Sequence, residues 1–380
     1  MHPRRCVVIG IIPDVAESNF YINLQSYRGF TATRKASSFL YTQTIITMNK
    51  NKWTSITAFT NIYIIWGLTF IAISFGLEGF PPFILSGFRF FAAGVLIISY
   101  LFVKGEKATS LTHWKRNAVT GILVLAGGTG LVGWGEQYVS APEAAIAIAT
   151  GPFWFIAIDK KNWKIYFSDK WILTGLIIGF SGLILFLGGS ISVVHGGQEK
   201  SHATRVTAFI VLALSSISWV LGSLYSKKNP AGHSTFMNIA QQLIIGGIAS
   251  FIIASCKGEW NEFPASPIPF SAWSGLIFLI VFGSIIAYLS YIWLLSVKPA
   301  PLVSTHTYIN PVVTVLAGWI ISKEIVNTRQ ITGLFIILAG VLLTNVSKYF
   351  RLTKRSKVKI RHAVRLVTNI RQAHKHTTLE

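Results

Sequence analysis

The sequence predicts an all-α polytopic membrane protein of ten transmembrane helices, arranged as two five-helix inverted-topology repeats. Three observations carry this. First, 52% of the 380 residues are hydrophobic and only 12% are charged, with mean hydropathy +0.54; a soluble domain is typically about 25% charged. Second, apolar stretches of roughly 20 residues recur along nearly the whole length, enough to cross a bilayer. Third, two stretches share their punctuation. Ala141-Pro142 is followed by Pro152, then Thr174-Gly175-Leu176 and Gly182; Ala300-Pro301 is followed by Pro311, then Thr332-Gly333-Leu334 and Gly340. The offset is 159 residues for the first block and 158 for the second. Residues 174–186 and 332–344 agree at six of thirteen positions. A duplicated membrane half is a common plan of transporters.

Residues 1–47 do not resemble a span. Their apolar run at 7–12 is too short to cross a bilayer, and no small-residue cleavage site follows it. They are expected to be a disordered, dispensable extension, with Met48 as a natural start. Ten spans follow, at about 54–76, 82–103, 117–138, 142–158, 171–189, 206–225, 236–256, 273–295, 301–321 and 331–347. The fourth is short and carries Pro142 and Pro152. The halves are then 48–190 and 206–347, joined by a linker over 191–205 and followed by a tail over 348–380.

Charge supports the count. With the N-terminus inside, the even-numbered loops carry eleven Lys and Arg and the odd-numbered loops carry five. The tail adds ten, against one acid. Basic loops face the cytoplasm, and an even number of spans puts both termini there, in a cell (plasma or inner) membrane. The net charge of +21 is therefore read as membrane orientation and attraction of the tail to anionic lipid, not as nucleic-acid binding. Five spans per half is an odd number, so the second half enters the membrane inverted. Such proteins bind solutes near the midplane, between the repeats.

The segment Ile65-Trp66-Gly67-Leu68-Thr69-Phe70, with Phe80-Pro81-Pro82 and Arg89-Phe90, resembles the opening of EamA-domain permeases of the drug/metabolite transporter superfamily. Ala144-Ala145 with Thr150-Gly151-Pro152 resembles the fourth helix of the first repeat. Ser218-Trp219 with Gly222-Ser223 resembles the opening of the second repeat, and Asn310-Pro311, Ser322-Lys323-Glu324 and Thr332-Gly333 resemble its close. The resemblance runs from about 54 to 347. It departs in one place: the family's Gly-Glu pair after each fourth helix leaves Glu324 in the second half, but no Glu in 159–166. The resemblance implies a secondary permease, often an exporter of amino acids, other metabolites or drugs, that works by alternating access.

Seven residues are candidate solute contacts: Trp66, Arg89, Gln137, Trp219, Gln241, His306 and Asn310. A charge such as Arg89 within a span normally faces protein or water. It serves either as an anchor for a carboxylate or gate residue, or as a structural bridge to a carbonyl or to Glu136. Glu136 and Glu143 read either as protonatable coupling groups or as solvated loop acids. His306 and Asn310 are four apart on one helix face, before a proline that loosens the backbone. They read either as solute contacts, with His306 titrating near neutral pH, or as interhelical hydrogen bonds. Trp66 and Trp219 occupy equivalent places in the repeats, and Gln241 and Gln242 stand roughly where Arg89 does. Gly127, Gly130 and Gly133, and Gly175, Gly179 and Gly182, suit close helix packing.

Other classes fit less well. Gly179-Phe180-Ser181-Gly182 and His306…Asn310 resemble rhomboid protease motifs in reversed order, and Ser181 aligns with Ala339, a packing position. No GxxxxGK[ST] loop is present for ATP. Cys6 and Cys256 build neither a disulfide framework nor a metal cluster. No catalytic residue, cofactor or metal is expected. A non-transporting receptor or assembly protein is the alternative. The expected partners are a small-molecule solute, the lipid bilayer and protons as a candidate coupling ion; monomer and homodimer are both open.

Overall fold

The computed structural model describes residues 6–13, 20–27, 32–107, 109–187, 202–229, 234–264, 266–298, 300–322, 328–329, 331–340 and 342–343. Most of the expected linker over 191–205, the whole basic tail, and Lys323 and Glu324 lie outside the described residues.

The membrane part is helical throughout. The helices are α1 (Ala32–Leu77), α2 (Pro82–Val103), α3 (Leu111–Gly135), α4 (Ala141–Ile158), α5 (Lys170–Leu187), α6 (His202–Lys228), α7 (Thr235–Lys257), α8 (Phe270–Val297), α9 (His306–Ser322) and α10 (Ile331–Gly340). Among the described residues, seven are long and apolar enough to cross a membrane: α2, α3, α4, α7, α8, Trp53–Leu77 of α1 and Ala203–Lys228 of α6. Lys170–Gly182, His306–Ile321 and Ile331–Gly340 are apolar but shorter. The chain is a multi-pass membrane protein. Two strands precede the helices. β1 (Cys6–Pro13) and β2 (Phe20–Tyr27) pair antiparallel, with Cys6 opposite Tyr27, and α1 already begins at Ala32. The β-branched residues of β1 suit a strand.

Helix ends follow local chemistry. Ser140 caps α4 in a full capping box with Glu143, and proline occupies the first turn. The carboxylate of Glu143 also pairs with Arg205 of α6 at 2.6 Å. Neither Glu136 nor Glu143 is a solvated loop acid; both are buried. At the start of α2, the first amides lack intrahelical partners. Glu259 Oε2 accepts from the N–H groups of Phe83 and Ile84, at 2.9 and 3.1 Å. An anion is stabilised at a helix N-terminus. Burial pushes the Glu259 carboxyl up from its ordinary value, and those two amide bonds oppose the shift. α7 ends on Gly258, whose φ of 75° is the left-handed conformation glycine adopts without penalty.

Two helices widen midway. α3 has π-helical geometry over Gly121–Gly130 and α8 over Leu279–Ala287. Carbonyls in both stretches take side-chain donors from neighbouring helices. Ser218 donates to Leu123 O and Ser215 to Gly128 O, each at 2.7 Å, and Trp66 Nε1 donates to Gly283 O at 3.2 Å.

α4 breaks at Ala149–Thr150, before Pro152. Proline has no N–H for the carbonyl four residues earlier, and Ser216 of α6 donates to that carbonyl, Ile148 O, at 3.2 Å.

Glycines set the closest helix approaches. A Cβ on Gly340 would lie 2.5 Å from Gly179 N and 2.6 Å from Gly175 O. A Cβ on Gly182 would lie 2.7 Å from Ile337 N and 2.9 Å from Gly333 O. On α3, a Cβ on Gly127 would meet Ser218 Oγ at 2.5 Å, as expected of small residues between helices in lipid. Gly340→Val or Gly182→Val is expected to lower the melting temperature in detergent by the equivalent of about 1–3 kcal/mol or more. Gly105→Ala, at φ 85° with open space around it, is expected to cost about 1 kcal/mol.

Candidate functional site

Five of the seven expected contacts meet around one cavity. Trp66, Arg89, Trp219, His306 and Asn310 line a space of about 680 Å³ not filled by protein, part of it open. The walls come from α1, α2, α3, α4, α6 and α9. Trp66 is eleven residues from the Leu77 end of the 25-residue span (77 − 66). At 1.5 Å per residue this is roughly 16 Å from that end, near mid-membrane.

One wall is aromatic. Trp66 stands edge-on to Trp219 at 5.2 Å between ring centroids, and 4.7 Å from His306. Beneath them Tyr291 of α8 lies 5.0 Å from Trp66 and 5.3 Å from Trp219. The Tyr291 hydroxyl accepts from Trp219 Nε1 at 2.9 Å and shares a 2.6 Å hydrogen bond with Ser223. Buried indole N–H groups need such partners, so Tyr291 fixes the rotamer of Trp219.

His306 and Asn310 act as a unit, as their spacing predicts. The Asn310 amide is assigned from its hydrogen bonds. Its nitrogen donates to the backbone oxygens of His306 (2.8 Å), Ile62 and Tyr63 (3.2 Å each), and its oxygen accepts from His306 Nδ1 at 3.2 Å. With Nδ1 protonated, Nε2 of the neutral ring is an acceptor. The next turn is tied down by Thr314, whose hydroxyl meets Gly67 O and Asn310 O, each at 2.8 Å. Pro311 is thus held inside a continuous α9.

Arg89 is buried, at 4% exposure, and brings the lining its positive charge. Its Nε is 3.4 Å from Ser284 Oγ of α8, and its guanidinium carbon lies 4.6 Å from the Phe90 ring centroid. No carboxylate lies within 4.0 Å of it among the described residues, so the expected alternative of a direct bridge to Glu136 is not formed.

The remaining two candidates sit elsewhere. Gln137 is exposed beyond the end of α3. Gln241 is fully buried but belongs to an amide network with Asn117 and Thr109. Gln242 joins it through Asn117 and Tyr288. Residues the sequence reading missed fill the gaps. Thr69, Phe70 and Ile73 lie one to two turns from Trp66 on its face, and Ser215 and Ser216 lie one turn from Trp219. Helical spacing from the two tryptophans is the signal that finds them. Tyr291 carries no such signal. The protease reading has no geometric support: Ser181 donates to Ile178 O at 2.8 Å on an exposed face of α5, while the His306 ring is engaged by Asn310.

Comparison with known proteins agrees with this architecture. The EamA-like transporter family matches residues 53–188 and again 206–346. Among its relatives is the uncharacterized inner membrane transporter YedA of Escherichia coli K12. It is 33% identical over 297 residues, which are 76% of this chain and 89% of that one. The uncharacterized transporter YvbV of Bacillus subtilis 168 is 25% identical over 288 residues, 75% of this chain and 89% of its own. One solved crystal structure shares the fold with a TM-score of 0.59 at 16% identity, over 77% of this chain and 96% of the other. The chain belongs to the EamA-like transporter family.

Proposed function

We propose that this protein is a secondary permease that moves a small metabolite, amino acid or drug-like solute by alternating access. The observation that carries the reading is the mid-depth cavity, in which one buried cation, one imidazole and two indoles converge. Intramembrane charges mark solute pathways. Arg89 is the anchor for an anionic group. The indoles of Trp66 and Trp219 take the apolar or aromatic body of the solute. The hydroxyls of Thr69, Ser215, Ser216 and Thr307 spend their protons on backbone carbonyls. Their lone pairs, with His306 Nε2, then suit a solute carrying N–H donors. A carboxylate at one end and N–H groups at the other is the pattern of an amino acid.

The halves proposed to rock are 48–190 and 206–347, related by inverted topology. The glycine contacts support this. Under the repeat offset, Gly175 corresponds to Gly333 and Gly182 to Gly340. Gly182 packs on Gly333, and Gly340 on Gly175. Exchanging the halves turns one contact into the other, as a pseudo-two-fold axis between α5 and α10 requires. Our reading puts the protein in the inner membrane with both termini cytoplasmic; the loop charges support the orientation, and the likeness to YedA supports the membrane. Protons are the candidate coupling ion.

Uptake into proteoliposomes, screened over amino acids and aromatic metabolites with and without a pH gradient, tests the function. Arg89→Ala and His306→Ala are each expected to lower uptake of the preferred solute about tenfold, a loss of about 1.4 kcal/mol. Gln137→Ala is expected to stay within about twofold of wild type. Untouched transport in both cavity variants would remove the site assignment, and a flat screen would favour a receptor. For orientation, single cysteines at Gly105 and Asn261, in a protein lacking Cys6 and Cys256, are expected to label from opposite sides of the membrane. Labelling from the same side would overturn the span count between them.

A further inference from the structure

Glu136 and Arg89 are two buried opposite charges held apart. Glu136 caps the end of α3 and turns inward, at 8% exposure. Its Oε2 is 3.5 Å from Ser74 Oγ of α1, and its Oε1 is buried with no hydrogen-bond partner. Arg89 approaches from α2 and spends only Nε, on Ser284. Each charge lies within electrostatic reach of the other, yet they do not touch.

Of the other charged groups at this end, Glu262 is exposed and the rest have contacts of their own. Glu143 of α4 holds Arg205 of α6. Lys257 of α7 lies over the rings of Trp134 and Phe83, at 5.3 and 6.0 Å. Glu259 sits on the amides of α2, and Glu78 of the loop after α1 accepts from Ser271. Ser74 and Arg89 are the groups that act on the Glu136 carboxylate.

An ionised carboxylate with one oxygen orphaned in a dry site costs several kcal/mol and is relieved by neutralisation or by pairing. Here a proton can neutralise it, or the guanidinium of Arg89 can balance it. We propose that Glu136 is a proton-binding site that alternates with the solute's anionic group as the partner of Arg89. With a solute carboxylate on Arg89, Glu136 holds one proton as the neutral acid. When the carboxylate departs, Glu136 gives that proton to water and its own carboxylate becomes the counter-charge of the guanidinium across the gap between them. Arg89 carries one counter-charge in either state, and the buried charge sums to zero in both. One proton thus binds with each carboxylate and leaves with it, so solute and proton travel in the same direction. The inference rests on the reading of Arg89 as the anchor.

Infrared spectroscopy of the full chain in detergent, titrated over pH without solute, tests the site. The stretch of a protonated carboxyl is the readout. On lowering the pH, wild type is expected to gain such a band that Glu136→Gln lacks, since glutamine keeps the volume and the contact with Ser74. In Arg89→Gln the band is expected to persist to a pH higher by about one unit or more, because a nearby cation favours the charged carboxylate. Arg89→Lys, which retains the charge, is expected to restore a midpoint close to wild type and so separates a charge effect from misfolding. Identical bands in wild type and Glu136→Gln, or an unshifted midpoint in Arg89→Gln, would overturn the proposal. Neither result depends on solute. The anchor reading fails separately, if Arg89→Ala still transports.

Discussion

In a bilayer every backbone N–H and C=O must find its partner within the protein, because no water is there to supply one. The site follows from that constraint. Pro152 deprives Ile148 of its intrahelical donor, and the replacement is Ser216 of α6. The π-helical stretch of α3 is served by Ser215 and Ser218, and that of α8 by Trp66. In each case a side chain from another helix donates to a backbone carbonyl of the irregular stretch. Ile148, Ser215, Ser216 and Trp66 are also walls of the cavity. The irregular backbone and the cavity are the same region, as π-helical segments at functional sites lead one to expect.

The same economy explains why the aromatic wall is rigid. Trp66 and Trp219 each have one N–H to satisfy. One goes to a carbonyl of the widened α8, the other to the Tyr291 hydroxyl of that helix. α8 therefore registers both indoles, and with Ser284 it also holds Arg89. A movement of α8 relative to α1 and α6 would disturb cation and aromatics together. Under the proposed mechanism α8 would couple binding to rearrangement, although it contributes no residue to the cavity lining itself.

Much of this was legible in the sequence. Trp66, Arg89, Trp219, His306 and Asn310 stand out because a polar or amphipathic group in an apolar span needs a reason, and the i, i+4 spacing of His306 and Asn310 placed them on one face. Gln241 satisfied the same test and went to a different face, where Asn117 absorbs it. Polarity within a span says that a partner exists, not whether the partner is a solute or an amide. Gln137 and Glu136 are neighbours in sequence near a helix end, yet one is exposed and the other buried. The end of a helix fixes depth poorly, and side chains one residue apart point about 100° apart around it. Tyr291 and the π-helical stretches were not legible, because both depend on which helix lies opposite.

The repeat sharpens rather than dilutes the asymmetry of the site. Equivalent positions in α4 and α9 hold Ala147 and His306, then Gly151 and Asn310, before the shared Pro152 and Pro311. In α4 the proline accompanies a break, repaired from α6. In α9 Asn310 and Thr314 bind the helix to α1 across that turn, through Ile62, Tyr63 and Gly67 carbonyls. A Cβ on Gly67 would lie 2.5 Å from Val313 Cβ, so the two helices are as close as their side chains allow. α9 is thereby bound to α1, with His306 against Trp66, while α4 is broken at the matching depth. The helix that brings His306 and Asn310 is thus tied through its proline, whereas its counterpart in the repeat is interrupted there.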